Sequence, residues 1–306
     1  MATPQNDLRP CAFCVCVAML FVAVLLSGCA AVSSNKMNRS ELISLLETEM
    51  MRNEEWVSVH AAEALLDNGQ PGKVAALFRP EAETASPPYR SGVWRVLARA
   101  TSGSEREEYI ARIRKTLLDP RAPDRLWAAE SLAKLNAVSR SDRKALFDWL
   151  GEADDATAAY IQWLLALSGE GRERQSSEAA LAGLLNAGDV VARLRAAFAL
   201  GRLNEISEKS IAKLRERLRL EPPDSIARVY LIGALILHTA DSSEALALEQ
   251  KLAAYATGKP NEQLELGIVT GRRGKTQGIA LLEPLLSSAE ADARIGAATG
   301  LLHLIR

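Results

Sequence analysis

The chain has 306 residues, nearly half of them apolar and a quarter charged, enough for a sizeable core in one or two domains. The formal net charge of −1 excludes a sequence-wide basic field of the kind that holds nucleic acid or an acidic membrane surface. Aromatic residues are few, and the abundance of Ala, Leu, Arg and Glu favours helix along most of the chain.

The first element reads as a targeting segment. Arg9 gives a weakly positive start, Cys11 to Leu26 is a continuous apolar run, and small residues follow where a signal peptidase would cut. A run of this length also nearly spans a bilayer, so an uncleaved transmembrane helix is the competing reading. Leu26-Ser27-Gly28-Cys29 resembles the lipobox of bacterial lipoproteins: an aliphatic residue, two small ones, then a cysteine. That resemblance implies a signal peptide over residues 1–28, cleavage before Cys29, and acylation of both its thiol and its new amino group. All four cysteines (Cys11, Cys14, Cys16 and Cys29) lie at or before this motif, so a mature chain would have no internal disulfide, cysteine nucleophile or cysteine metal site. Two acyl signals on one residue give durable anchoring. In Gram-negative lipoproteins an Asp after the cysteine favours the inner membrane; Ala30 therefore implies an outer-membrane, periplasm-facing location. Residues 29–39 are small and polar without periodicity, and read as a lipidated cysteine plus a tether reaching roughly 17 Å.

From residue 40 to 306 one unit repeats. Short segments rich in small residues, such as VHAAEALLDNG from Val59 and LRAAFALGRLN from Leu194, each carry a leucine-type register mark. The marks fall at Leu65, Leu97, Leu132, Leu164, Leu200, Leu235, Ile268 and Leu301. Between them lie amphipathic segments starting at Ser104, Ser141, Ser207 and Ser242, with a serine able to cap and acidic residues in the first turn. Turns such as NGQPG, DPRAPD and EPPD separate the segments, and no stretch alternates like a strand. Gly233 and Pro284 are expected to bend their helices without ending them. The pattern predicts an all-α fold, an α-solenoid of about eight helical hairpins.

Within the hairpins, Asp189-Arg193-Ala196-Ala197-Leu200 and Asp224-Arg228 are similar to HEAT repeats, including the HEAT-like repeats of bilin lyase subunits. An arginine also stands seven residues before the mark at Arg90, Arg125 and Arg294; Ser58, Thr157 and Asn261 replace it elsewhere. This row is expected to be a structural ladder between units in preference to a set of phosphate ligands. The resemblance implies that the second helices line a concave surface. The export signal argues against the cytoplasmic chemistry of the lyase subunits. Segments around Trp56, Tyr89 and Pro123 also resemble bacterial HEAT-repeat proteins encoded beside sulfatases and other polysaccharide-degrading enzymes.

The stretch TGRRGKT, Thr270 to Thr276, imitates a phosphate loop, but the required first glycine would fall on Val269, inside a predicted helix. It is therefore read as the turn between the last two units, with Gly271 or Gly274 ending a helix. No nucleotide, nucleic acid, metal or other cofactor is expected, and no catalytic residue is nominated. The three histidines, His60, His238 and His303, stand in units one, six and eight. All five tryptophans (Trp56, Trp94, Trp127, Trp149 and Trp163) fall in the first four of the eight units. Positions five and two before the mark are charged or aromatic early in the chain and blander late, where Tyr230, Gly233, Gln263, Leu266, Gly296 and Thr299 occupy them. His60, Glu63, Arg95, Trp127 and Glu130 form the candidate partner-binding stripe, with tryptophans in the core and charges on a solvated face as the alternative. The expected function is that of a lipid-anchored, non-enzymatic binding scaffold of the cell envelope with a protein partner. A glycan-binding accessory of a sulfatase-type polysaccharide system, or an enzyme subunit needing a partner chain, are the alternatives. Cys29→Ser should leave an unlipidated precursor; a variant still cleaved and membrane-bound would overturn the lipobox reading.

Overall fold

The computed structural model describes residues 38–305, which are helical apart from turns and short connections. Leu26, Ser27, Gly28, Cys29 and the tether up to residue 37 lie outside the described residues, as does the apolar run from Cys11. Among the described residues no helix is long and apolar enough to cross a membrane.

Eight hairpins follow one another, each an outer helix and an inner helix. The outer helices are α1 (Arg39–Arg52), α3 (Pro71–Phe78), α5 (Gly103–Leu118), α7 (Arg143–Leu150), α9 (Gly171–Leu184), α11 (Glu208–Leu220), α13 (Ser242–Ala256) and α15 (Ile279–Leu282). The inner helices are α2 (Glu55–Asp67), α4 (Tyr89–Ala100), α6 (Arg125–Leu135), α8 (Asp155–Ser168), α10 (Val190–Arg202), α12 (Ala227–His238), α14 (Pro260–Arg273) and α16 (Ala291–Leu304). Every register mark falls on an inner helix, and all are buried except Ile268, which is partly exposed.

The last hairpin packs against the first, so the solenoid is closed into a ring. The concave surface expected of the second helices thereby becomes the interior of a ring. The terminal helix already carries the reason: α16 is buried at almost every position from Ala293 to Leu302, so it has no polar face for the outer side of an end unit. It needs cover on both flanks, and α1 and α2 supply the second one.

The arginine ladder makes the joints. Arg193 on α10 forks onto Glu221 at the end of α11 at 2.9 and 2.8 Å, and donates from Nη1 to the carbonyls of Ala187 and Gly188. Arg294 on α16 repeats this arrangement across the seam. It forks onto Glu49 of α1 at 2.7 and 2.8 Å and donates to the carbonyls of Ser288 and Ala289. Arg90 grips Asp124 the same way, while Arg125 binds the carbonyl of Leu117 and Arg228 that of Glu221. Bidentate guanidinium–carboxylate pairs fix angle as well as distance, so the seam has the geometry of an internal joint.

On the other side of α16, Gly267 and Gly271 of α14 meet Gly296 and Gly300. A Cβ added to Gly267 would lie 1.9 Å from the Gly296 carbonyl oxygen, so only glycine permits this approach. Local readings hold unevenly. Gly233 sits within an unbroken α12, but at Pro284 the outer helix of unit eight gives way to a 3₁₀ stretch after Leu282. Ser207 caps α11, whereas Asp241 caps α13 in place of Ser242, and α5 has no side-chain cap. TGRRGKT begins inside α14, which runs to Arg273 and ends on Gly274 at φ 71.

All inner helices run in one direction. The ring therefore has a starting rim, where they begin and the outer helices end, and an ending rim, where they end and the outer helices begin. Burial alone would raise the carboxyls of Glu49 and Glu221, but the bonds from Arg294 and Asn53, and from Arg193 and Ser225, hold both below the usual glutamate range. A carboxyl depressed in the folded state stabilises above its unfolded pKa, about 4.3, and this stability is lost as pH falls through the folded value. Urea midpoints should therefore drop between pH 5 and pH 3, with a shallower drop in Glu49→Gln/Glu221→Gln. Arg294→Met should cost about 2–3 kcal/mol and enlarge the radius of gyration in X-ray scattering as the seam opens.

Candidate functional site

Inside the ring, large side chains from the odd-numbered units meet across the even-numbered ones. Trp56 of unit one and Trp127 of unit three pack with ring centroids 5.4 Å apart at 41°. They pass over Gly92 of unit two, where an added Cβ would come within 2.9 Å of the Trp56 ring. Arg202 of unit five and Glu265 of unit seven pair at 2.8 and 3.2 Å, beside Gly233 of unit six. In each case a glycine on the intervening helix leaves the space that the crossing side chains occupy.

The two ends are connected by a chain of paired charges. Arg95, with its side chain 1% exposed, donates to Glu63 at 2.7 Å and to Ser131 Oγ at 2.9 Å. Lys134 pairs with Glu130 at 3.1 Å and lies 3.8 Å from Glu63. Lys134 and Arg202 then both stand over the Phe198 ring, at 5.8 and 4.5 Å from its centroid. Tyr160, Trp163 and Tyr230 pack around the same phenylalanine. Desolvation would raise the carboxyls of Glu63 and Glu130, but Arg95 and Lys134 outweigh it and hold both below the ordinary range, Glu63 well below. Burial likewise disfavours the charged guanidinium of Arg95, and the two carboxylates reverse this. Both carboxylates are therefore firmly ionised, which suits a frame and not a general acid.

At the starting-rim end of this network is a cleft of about 210 Å³ lined by Trp56, His60, Arg95, Trp127, Glu130 and Lys134. His60 Nδ1 lies 2.9 Å from Asp292 across the seam. Four of the five residues of the candidate stripe, His60, Arg95, Trp127 and Glu130, thus line one cleft, and Glu63 stands behind them on Arg95. Arg95 and Glu130 are buried, so the stripe is an interior network with a small opening and not an exposed face.

The tryptophans divide. Trp163 is core at 2% exposure, Trp94 donates to the Ala82 carbonyl, and Trp149 lies under Arg125 at 3.9 Å. Trp56 and Trp127 are half-buried in the cleft. Sequence reasoning missed Lys134, Phe198, Arg202 and Glu265, and with them the charge in the later units. The signal was one turn further along the same stripe: position two after the mark carries Asp67, Arg99, Lys134 and Arg202. Ring closure also makes units one and eight neighbours. Remoteness along a solenoid therefore does not separate His60 from His303; they are separated by height, His303 being in the last turn of α16. Among the described residues no group of three or more His, Cys, Asp or Glu could hold a metal ion.

No family model and no curated protein matches the chain. Two solved structures of engineered proteins are similar at low level. One is 15% identical, covering 96% of this chain and 91% of that one, with a TM-score of 0.36. The other is 16% identical, covering 93% and 96%, with a TM-score of 0.19. Likeness at this level carries no argument about function.

Arg95→Met should cost about 3 kcal/mol in urea unfolding, because it removes the buried partner of Glu63 and leaves Lys134 to serve both Glu63 and Glu130; Arg95→Met/Glu63→Met should recover part of it. Gly92→Ala should move the Trp56 ring and change the tryptophan emission spectrum while leaving helix content intact.

Proposed function

We propose that the ring is a non-catalytic binding scaffold of the cell envelope, held to a membrane through lipidated Cys29, with a protein as its partner. The observation that carries this reading is that the polar groups around the cleft already satisfy one another. Arg95 is held by Glu63 and Ser131, Lys134 by Glu130, and His60 by Asp292, which leaves two half-buried indoles as the adhesive surface. Rigid, pre-paired surroundings with a central aromatic pocket suit an interface anchor, where one inserted side chain carries much of the affinity. The cleft volume of about 210 Å³ suits a single large side chain from the partner.

The paired indoles also favour a second reading, a sugar ring stacked on Trp127, with Glu130 and Lys134 beside it to receive hydroxyl groups.

In-cell crosslinking of the native protein, followed by affinity capture, separates the readings. One partner captured by the native ring and reduced at least tenfold in a folded Trp127→Ala variant supports the scaffold. Capture that is indifferent to Trp127→Ala removes the cleft from binding. Quenching of tryptophan fluorescence by glycans, lost in the same variant and without a captured protein, transfers the site to sugar.

A further inference from the structure

Among the described residues, six large apolar side chains stand exposed: Met51, Leu118, Phe147, Leu220, Ile226 and Ile305. Their distribution is one-sided. Met51, Leu118 and Leu220 close the outer helices α1, α5 and α11, Ile226 immediately precedes α12, and Phe147 lies in the second half of α7. These five belong to the starting rim or the side nearest it; Ile305 alone is at the other. Met51 and Leu220 are 64% and 62% exposed, a state that solvent does not favour for side chains of their size.

The same rim is acidic. Its connecting segments expose Glu54, Asp119, Glu152, Asp154, Asp224 and Glu290. The basic residues of these segments are largely engaged, Arg79 by Glu105, Arg121 beside Asp119 and Lys259 over the Tyr255 ring; Arg52, Lys115 and Arg219 stand exposed on the adjoining helix ends, fewer than the exposed carboxylates. Helix dipoles do not offset this, because each inner helix start is paired with an outer helix end and the two partial charges oppose. Trp56 and Trp127 stand in the first turns of α2 and α6, which places the indole end of the cleft at this rim, and Met51, Leu118 and Phe147 are on the outer helices of units one, three and four.

Acidic charge repels an anionic lipid surface. Moreover, Asn38, which leads back towards Cys29, begins α1 at the opposite rim. A basic protein segment is the complement: lysines and arginines meet the rim carboxylates while an apolar tip enters the cleft. We propose that the starting rim over units one to four is the docking surface for a lysine- and arginine-rich segment of a partner protein that presents an aromatic or aliphatic side chain to the Trp56–Trp127 cleft. This rests on the binding reading and specifies its partner.

The test uses the full-length chain in cells, with a photo-crosslinking amino acid placed singly at Leu118, Phe147 or, as the opposite-rim control, Ile305. The expected result is a protein crosslinked from Leu118 and Phe147 but not from Ile305, with the attachment mapped to a basic segment. Yield should fall at least tenfold in Glu54→Lys/Asp119→Lys/Glu152→Lys, whose exposed positions leave the fold intact by circular dichroism. Attachment to an acidic segment, crosslinks to lipid, crosslinks from Ile305 alone, or no crosslink from the rim overturns the inference. The cleft variant tells the two readings apart. A partner lost in Trp127→Ala but indifferent to the triple reversal leaves the cleft and removes the rim; the opposite pattern removes the cleft and leaves the rim.

Discussion

The joint between Arg294 and Glu49 is the constraint on which the rest of this architecture depends. Without it the eight hairpins would be an open array whose last helix is apolar on a side facing water. With it, the seam between the two chain ends acquires the forked geometry that Arg193 and Glu221 have in mid-chain. One rule then serves internal and closing joints alike. An inner-helix arginine ties down the turn before it with one nitrogen and reaches the next outer helix with the others. Closure in turn converts a concave surface into an interior, and this decides what the candidate residues can do. A row of side chains that would line an open groove is instead pressed together across a narrow space.

That narrow space is filled by alternation. Trp56 and Trp127, and Arg202 and Glu265, reach across from odd-numbered units where Gly92 and Gly233 in even-numbered units step aside for them, and Arg95 of unit two supplies the central cation. The filling is unusual for a helical core because much of it is charged. Its electrostatics are self-consistent: Arg95 lies between two carboxylates, and Lys134 and Arg202 share the faces of Phe198. Burial opposes each ionised group, and each is retained by an opposite charge or an aromatic face. What remains for an external molecule is the small region where Trp56 and Trp127 have no charge to serve.

The unit, its length and the inner position of the marked leucines were legible in the sequence, because close packing of inner helices demands small residues at fixed spacing. The row of arginines was legible as a ladder for the same reason. Closure was not, since the Arg294 partner lies far away in sequence and no local pattern encodes the turn per unit. The fully apolar character of α16 was the available sign. Nor was the crossing of the interior legible: Lys134, Arg202 and Glu265 become neighbours of earlier residues only once the ring is round. The residues of the candidate stripe lie together as a cluster, but Arg95 and Glu130 are buried where an open groove would have left them wet.

A row of repeats ordinarily loses order from its two ends inward, since a terminal unit has one neighbour where an internal unit has two. The seam removes that distinction. Each hairpin of this ring has a neighbour on both flanks, so detaching any one of them breaks two joints at once. In the language of a nearest-neighbour chain the boundary condition is periodic: unfolding has no cheap place to begin, and the first opening costs more than those that follow it. The cheapest first rupture is the seam itself, the one joint without a peptide bond across it, so local opening should concentrate beside His60 and Asp292, at the edge of the cleft.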